Sequence, residues 1–510
     1  MTGNDTIAAV STAPGEGGIG IIRISGDKAA EILGKVFKVP ETGFADKTMY
    51  YGHIIEPSSE ETVDEALVVF MKGPKSYTGE DVAEIQCHGG GVPLRRILDI
   101  VCGLGAVPAQ PGEFTKRAFL NGRLDLAQAG AVIDLIRSKT ELGYHAAKEQ
   151  AEGKLSERVR AVREILLTAL AEIAVRIDYP EAFEDDDLAR TENISQGSLA
   201  KKCDKSRLCT NSHFEHRDPG EKLSVLAEAV LRDPEEKLPV LAEAAEGVKE
   251  LLKGADAGRL VKDGVRVVII GKPNTGKSSL FNALVREDAA IVTETPGTTR
   301  DAIEIWLDVL GVPVLLSDTA GIREDAEDIE ELGIERAKEQ YRKADASIFL
   351  LDSSKPLSEE DFSIAKMLDP EKKQIIAVNK TDLPTAFGRK KVTEILPFDY
   401  NEKEIIEISL IGDKGANEAV KHIEKALEKL VLSDVSSGSS LLVTKTRHKG
   451  LLEKALFEIN EAVEALARDE APEFAETNLR AAWNALGEVT GDTATDEIID
   501  RVFEEFCVGK

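Results

Sequence analysis

The sequence predicts a multidomain chain of mixed α/β and α class: an N-terminal α+β domain, a helical domain discontinuous in sequence, and an α/β domain inserted into the helical one. Three observations carry this. Short strand-like runs alternate with Gly/Pro turns over residues 1–120; two regions of helical apolar spacing lie on either side of 265–430; and that central stretch alternates strand-like and helix-like runs. The 510 residues suit three or four domains of about 100–200 residues each.

In chain order, Ile19–Ile24, Leu67–Met71 and Val82–Gln86 read as strands, with turns at Gly73-Pro74 and Pro111-Gly112. From Leu124 the pattern changes. Leu155, Val159, Val162, Leu166, Ala169, Ile173 and Ile177 recur at helical spacing, which predicts one long amphipathic helix. Residues 190 to about 245 fit neither class. Glu181 and Glu184 to Asp187 lead into a polar stretch with Lys201, Lys202, Lys205 and Arg207, then Glu221–Ala229 is nearly repeated as Glu236–Ala244. Two copies are too few for a solenoid, so this reads as an insert carrying two short helices. Toward the C-terminus, Leu452, Ala455, Leu456, Ile459, Ala462, Val463 and Leu466 form one helical stripe and Leu479, Ala482, Leu486 and Val489 another. The expected domains are therefore 1–120, a helical part over 121–264, the inserted α/β domain over 265–430, and a second helical part over 431–510.

Lys and Arg number 64 against 92 Asp and Glu, a net charge of −28, which disfavours broad electrostatic attachment to nucleic acid or anionic membrane. Any nucleic-acid contact has to be local or assisted by a partner. Cysteines stand only at 87, 102, 203, 209 and 507, which fits a reducing compartment without a disulfide framework. The N-terminus has no basic region followed by an apolar core, and no apolar run approaches the roughly 18 residues of a membrane span; the expected location is the cytosol.

Gly271-Lys-Pro-Asn-Thr-Gly276-Lys277-Ser278 fits G-x-x-x-x-G-K-[ST], and its context supports it: the apolar run Val265–Ile270 precedes it and a helical Ser279-Leu-Phe-Asn-Ala-Leu follows. The glycines let backbone N–H groups, among them those of Thr275 and Ser279, close around phosphate. Lys277 neutralises the β- and γ-phosphates, and the Ser278 hydroxyl is a ligand for Mg²⁺. Asp318-Thr319-Ala320-Gly321 follows the run Val312–Leu316, placing a carboxylate at a strand end facing the metal. Asn379-Lys380-Thr381-Asp382 follows Ile375–Val378. The Asp382 carboxylate can accept from guanine N1–H and the exocyclic amine together, which adenine does not offer, so GTP is the expected nucleotide. Asn379 braces that loop, and Lys380 covers the base with its stem.

These motifs resemble the small-GTPase (Ras-like, P-loop) fold. Ile322, however, occupies the position after Gly321 where Ras-like proteins carry a water-orienting Gln, and an apolar side chain cannot polarise water. Asn274 and the run Thr293-Glu294-Thr295-Pro296-Gly297-Thr298-Thr299-Arg300-Asp301 resemble potassium-activated GTPases, in which a monovalent cation replaces an arginine finger. That resemblance implies K⁺ among Asn274, Thr293, Thr295 and Thr298, nucleotide contact along the same run, and Thr299 on Mg²⁺.

The chain outside the insert resembles the MnmE (TrmE) family of tRNA-modifying GTPases. The stretches that carry the resemblance are Asn4–Ile7 with Gly17–Gly26, Tyr77–Asp81, Pro111–Phe114, Ala118–Asp125, the GTPase motifs, and the ending Phe506-Cys507-Val508-Gly509-Lys510. It implies an N-terminal domain that dimerises and binds a 5-formyltetrahydrofolate-type one-carbon donor, with Arg23, Glu80, Arg123 and Lys510 at the folate-contacting positions. Basic groups suit an anionic folate tail, and a carboxylate suits the pterin amino group. It further implies a homodimer acting with the FAD-containing partner MnmG, in a heterotetramer, to build an aminomethyl or carboxymethylaminomethyl group on C5 of the wobble uridine of tRNA. Glu330 takes the catalytic position, orienting water through a second water, with Asn274 as its cation-holding counterpart. The guanine-side loop reads Ser409-Leu410-Ile411, with Leu410 where the family has Ala. The rival function is a switch GTPase in ribosome assembly; the N-terminal stretches and the Phe506–Lys510 ending favour tRNA modification.

Four features are set aside. Gly15-Glu-Gly17-Gly-Ile-Gly20 matches G-x-G-x-x-G, but a strand continues where a dinucleotide site requires a helix. Cys203, Cys209, His213 and His216 are spaced unlike common zinc sites, and Lys201–Arg207 reads as a solvated loop. Cys507 stands four residues from the end, but Lys510 ill suits prenylation; its thiol is a candidate nucleophile, with a buried small side chain as the plainer reading.

Overall fold

The computed structural model describes residues 5–38, 43–178, 234–286, 290–291, 303–318, 338–435, 442–468 and 470–509. They form two compact units. One comprises 1–133, 150–248 and 451–510, and the other 134–149 and 249–450. The second unit thus contains 265–430 and adds short helical stretches on either side of it. Its edges at 133/134, 149/150, 248/249 and 450/451 all fall inside helices.

The first unit opens with a six-stranded sheet ordered β3-β4-β5-β2-β1-β6, from β1 (Ile7–Val10), β2 (Gly17–Ser25), β3 (Met49–Ile55), β4 (Thr62–Met71), β5 (Val82–Gly89) and β6 (Val107–Pro108). All pairings are antiparallel except β1 with β6. Alternation gives the sheet two faces. Ile22, Ile24, Ala83, Ile85 and Cys87 point to a core filled by α1 (Ala29–Val36) and α2 (Gly91–Gly103). On the opposite face, Ile7 and Ala9 pack with Phe114 of α3 (Glu113–Leu120) and with Tyr77. Gly15–Gly20 runs straight into β2, so the helix a dinucleotide site needs is absent there.

In the helical part, α4 (Leu126–Arg137), α5 (Glu141–Ala151) and α6 (Lys154–Asp178) follow in turn. Leu155, Val159, Val162, Leu166, Ala169 and Ile173 bury one stripe of α6, which packs along the helix Pro472–Thr490. Arg163 crosses that seam, stacking 4.1 Å over the Trp483 ring and ion-pairing with Asp492. The second repeat copy, expected as a short helix, is instead the start of the 20-residue helix Pro234–Lys253. Its apolar spacing runs on past the repeat, burying Leu241, Ala244, Ala245, Val248 and Leu251. The first copy and the polar stretch with Cys203, Cys209, His213 and His216 lie outside the described residues.

The second unit holds a seven-stranded sheet ordered β13-β12-β11-β7-β10-β9-β8. Its strands are β7 (Val265–Ile270), β8 (Ala290–Ile291), β9 (Ile303–Val309), β10 (Val312–Asp318), β11 (Ala346–Asp352), β12 (Lys373–Asn379) and β13 (Ile406–Glu407). From β13 to β10 neighbours are parallel, and β9 and β8 add an antiparallel edge. Every residue of β11 is buried, as a parallel strand covered on both faces must be. Ile269, Ile348, Leu350 and Ala377 fill one core, and Ile270, Phe349, Leu351 and Ile376 the other. Central β7 has β10 on one side and β11 on the other, so the strand order reverses at its carboxyl end, where open α/β sheets bind ligands.

Candidate nucleotide and one-carbon sites

The loop after β7 closes on itself through its own carbonyls. Lys277 Nζ donates to the Gly271 and Lys272 carbonyls, each at 2.9 Å, and Thr275 Oγ1 donates to the Lys272 carbonyl at 2.9 Å. Two glycines are required by space. A Cβ on Gly271 would lie 2.4 Å from the Leu350 carbonyl, and one on Gly276, at φ +102°, would lie 2.3 Å from Asn379 Nδ2. The helix Lys277–Arg286 then begins, with its first backbone N–H groups and the exposed Ser278 at the loop mouth. Such a turn at a helix N-terminus suits phosphate. Lys277 is nine-tenths buried beneath this turn, and Ser278 carries an exposed hydroxyl.

The residues expected to select guanine reach this loop from the ends of β11 and β12. Asn379 Nδ2 donates to the Thr275 carbonyl at 2.8 Å. Lys380, at φ +64°, donates from Nζ to the Asn274 carbonyl at 2.8 Å and to Asp352 Oδ2 at 2.7 Å. Burial alone pushes the Asp352 carboxyl up, but the bonds from Lys380 and Ser354 outweigh it and hold that carboxyl below its ordinary value. Asn274 is itself left-handed, at φ +61°, with its side chain exposed. Asp382 is exposed and oriented by Ser409 Oγ, which donates to Oδ1 at 2.6 Å. Leu410 turns toward the core, packing against the cluster that lines β7 and β11. Its Cδ1 lies 3.6 Å from where a Gly276 Cβ would be, so the larger side chain is accommodated beside the loop.

Structure thus brings together Asn274, Thr275, Gly276, Lys277, Ser278, Ser279, Asn379, Lys380, Asp382, Ser409 and Leu410. Asp318 ends β10, the neighbour of β7. Thr293 to Thr299, Thr319 to Gly321 and Glu330 lie outside the described residues. Sequence reasoning missed Asp352, Ser353 and Lys272. Asp352 had a signal, a carboxylate closing an apolar run as Asp318 does. Lys272 sat unremarked inside the motif.

In the N-terminal domain, Arg23 and Arg123 meet at one aromatic ring. Their guanidinium carbons lie 5.3 and 5.0 Å from the Tyr77 centroid, and Arg23 is also 5.7 Å from that of Phe114. Arg123 donates to the Tyr77 carbonyl, and Arg23 ion-pairs with Glu84 at 2.8 Å. Glu80 accepts from Ser25 Oγ at 2.8 Å and from Arg117 at 3.1 Å, while Arg117 also pairs with Glu113. Buried Arg117, Ser25 and Thr78 were not foreseen; the i,i+4 spacing of Glu113 and Arg117 was the available sign. Two cationic planes, an aromatic ring and an oriented carboxylate match a flat heterocycle with an anionic tail. Lys510 lies outside the described residues, but its neighbour is fixed: Ser11 Oγ donates to the Gly509 carbonyl at 3.0 Å, just past β1. Cys507 is exposed rather than buried, its carbonyl accepting from Gly112 N at 3.3 Å, because Phe506 takes the inward position in the cluster with Phe503.

Among the described residues no group of three or more His, Cys, Asp and Glu is placed to hold a metal. None of their helices is long and apolar enough to cross a membrane.

Residues 126–507 match the model described as the MnmE helical domain, and residues 6–123 match the GTP-binding protein TrmE N-terminus. The chain is 43% identical over 512 residues to the tRNA modification GTPase MnmE of Alkaliphilus oremlandii (strain OhILAs), covering 99% of both. It is 39% identical over 511 residues to that of Clostridioides difficile (strain 630), covering 99% of both, and 40% identical over 515 residues to that of Geobacillus kaustophilus (strain HTA426), covering 100% of both. Among solved structures, the G domain of the T. maritima FeoB iron transporter is 27% identical and matches 32% of this chain and 98% of its own, with a TM-score of 0.24.

Proposed function

The chain belongs to the MnmE family of tRNA modification GTPases and hydrolyses GTP in tRNA modification, and from that premise we propose how its residues divide the work. The supporting observation is the docking of Asn379 and Lys380 onto Thr275 and Asn274, which unites a phosphate-binding and a guanine-selecting half in one site. Lys277 binds the β- and γ-phosphates, Asp382 selects guanine, and Ser278 with Thr299 holds Mg²⁺. Asn274, whose left-handed backbone offers its carbonyl to Lys380, is assigned to a K⁺ ion together with Thr293, Thr295 and Thr298. That ion, when bound, supplies the positive charge an arginine finger gives elsewhere. Glu330 orients the attacking water through a second water, the role Ile322 cannot fill.

The Arg23, Glu80, Arg123 and Lys510 group binds a 5-formyltetrahydrofolate-type one-carbon donor. The two arginines take the anionic tail, Tyr77 supports the flat ring system, and Glu80 accepts from the pterin amine. When bound, the folate would supply the one-carbon unit for the aminomethyl or carboxymethylaminomethyl group placed on C5 of U34, with the FAD protein MnmG as partner. The protein works as a cytoplasmic homodimer, paired with MnmG in a heterotetramer. With a net charge of −28, tRNA is held through a local basic surface or through MnmG.

Steady-state GTP hydrolysis in K⁺ against Na⁺ at equal ionic strength tests the cation, with at least tenfold slower turnover expected in Na⁺; equal turnover rejects it. Wobble-uridine analysis of tRNA from a strain lacking this gene, with and without complementation, tests the modification.

A further inference from the structure

We propose that Lys272 is a positioning residue for the nucleotide, tying the phosphate loop to the N-terminal cap of the helix that follows β11; this rests on the GTPase reading and deepens it. Two of its groups work in opposite directions. Its side chain leaves the loop: Nζ donates to Asp361 Oδ2 at 2.6 Å and to Ser358 Oγ at 3.3 Å. Its carbonyl stays in the loop and accepts from both Lys277 Nζ and Thr275 Oγ1 at 2.9 Å. Whatever fixes Lys272 therefore fixes the oxygen that aims the phosphate-binding lysine.

What fixes it is a buried ion pair. The Asp361 side chain is 1% exposed and that of Lys272 12%. Asp361 belongs to the capping box of the helix Glu359–Met367, its Oδ2 also accepting from Ser358 N at 2.8 Å and Ser358 Oγ at 2.9 Å. The cap therefore holds the carboxylate in place before the lysine arrives, and a preset loop spends less ordering entropy when it binds.

The connection between β11 and that cap grips the other half of the site as well. Asp352 pairs with Lys380, Ser353 N donates to the Asn379 carbonyl at 2.9 Å, and Ser353 Oγ donates to the Lys380 carbonyl at 3.0 Å. The segment from Asp352 to Asp361 thus holds the guanine loop at one end and, through Lys272, the phosphate loop at the other. Removing one member of a buried pair strands the other charge and weakens any fold, so loss of stability alone says nothing about positioning.

The test measures mant-GDP affinity and dissociation rate, GTP kinetics and thermal melting for full-length wild type, Lys272→Met, Lys272→Arg and the double variant Lys272→Met with Asp361→Asn. Wild-type binding of mant-GDP checks the GTPase reading independently. Lys272→Met is expected to weaken mant-GDP binding about tenfold, through faster dissociation, with a smaller fall in kcat than in kcat/KM. Lys272→Arg is expected to bind within about threefold of wild type, since its guanidinium can reach the same carboxylate. The double variant leaves no buried charge, so its melting temperature should recover while its nucleotide affinity stays low. If both recover together, or if Lys272→Met binds mant-GDP as wild type does, Lys272 is structural only and the proposal falls.

Discussion

Lys380 Nζ stands 2.7 Å from Asp352 Oδ2, and the carboxylate it meets is 97% buried at the end of β11, with 3% of its side chain exposed. Ser354 bonds the same carboxylate through N and Oγ, at 2.9 and 2.6 Å, both to Oδ1, leaving Oδ2 to the lysine. Lys380 is thereby aimed at the Asn274 carbonyl. Asp352→Asn keeps the shape and removes the charge, so nucleotide affinity should fall by the worth of a charged hydrogen bond, about 1.5–3 kcal/mol. The folded-state carboxyl lies below its ordinary value, so its stabilisation is complete above the unfolded value near 3.8 and is lost as pH falls through the lower folded value. The variant's deficit should therefore be constant between about pH 5 and 8. Fluorescent GDP titrations across that range check this; a deficit that fades toward pH 8 would contradict it.

Gly276→Ala should lose nucleotide while keeping its fold. The added Cβ would meet Asn379 Nδ2 at 2.3 Å, and φ +102° is itself unfavourable for alanine. Backbone strain of about 1–3 kcal/mol is affordable for a domain, but displacing Asn379 breaks the join between the two halves of the site. We expect affinity reduced at least tenfold and a melting temperature lowered by only a few degrees. Unchanged GDP affinity would show that Asn379 can move away without consequence.

Two arginines near Glu80 should separate stability from ligand binding. Arg117 has 11% of its side chain exposed and bonds both Glu80 and Glu113, so Arg117→Met takes the cation from two carboxylates that keep their bonds from Ser25 Oγ and Gln110 N, and should cost about 1–3 kcal/mol. Arg123 is exposed and stacked at 5.0 Å on Tyr77. Arg123→Ala should leave the melting temperature within about two degrees and weaken 5-formyltetrahydrofolate binding in calorimetry. Equal losses of stability in the two variants would contradict this division.

Local signals were legible in the sequence, and long-range ones were not. The stripe from Leu155 to Ile173 announces itself by periodicity, and β7 and β12 by continuous apolar runs, since burial dictates residue type at each position. The loop from Gly271 to Ser278 is legible because its glycines are forced by clearance at Leu350 and Asn379. The Lys272–Asp361 and Asp352–Lys380 pairs join residues 89 and 28 apart in sequence, and nothing local marks one lysine among many as the paired one. The unit edge between Gly450 and Leu451 was equally hidden, because it cuts the helix Thr446–Ala467 without interrupting its apolar stripe. Cys507, whose plainer reading from sequence is a buried side chain, is exposed because the inward position belongs to Phe506 one residue earlier.

His448 should make the second unit acid-sensitive. It is fully buried at the start of the helix Thr446–Ala467, with its Nε2 3.1 Å from Arg447, which can only donate. The ring must therefore accept at Nε2 and carry its proton on Nδ1, which finds no hydrogen-bond partner among the described residues. Burial drives its pKa well below the ordinary value, and the charges of Arg447, Lys445 and Lys262 push the same way. Lys262 is itself paired at 3.2 Å with Asp134, which also meets Thr444, so that carboxylate does not relieve the histidine. The sign follows from proton counting. Below about pH 6.5 the unfolded chain binds a proton at this position and the folded chain does not, so stability declines with acid until the lower folded value is reached, by up to about 1.4 kcal/mol per pH unit. Carboxylates elsewhere titrate alike in wild type and variant, so the comparison isolates this ring. His448→Leu keeps the volume and cannot titrate; its denaturation free energy should fall less steeply than that of wild type between about pH 6.5 and 5. Parallel slopes for the two proteins would mean that His448 takes up its proton over the same pH range folded as unfolded, contrary to its burial.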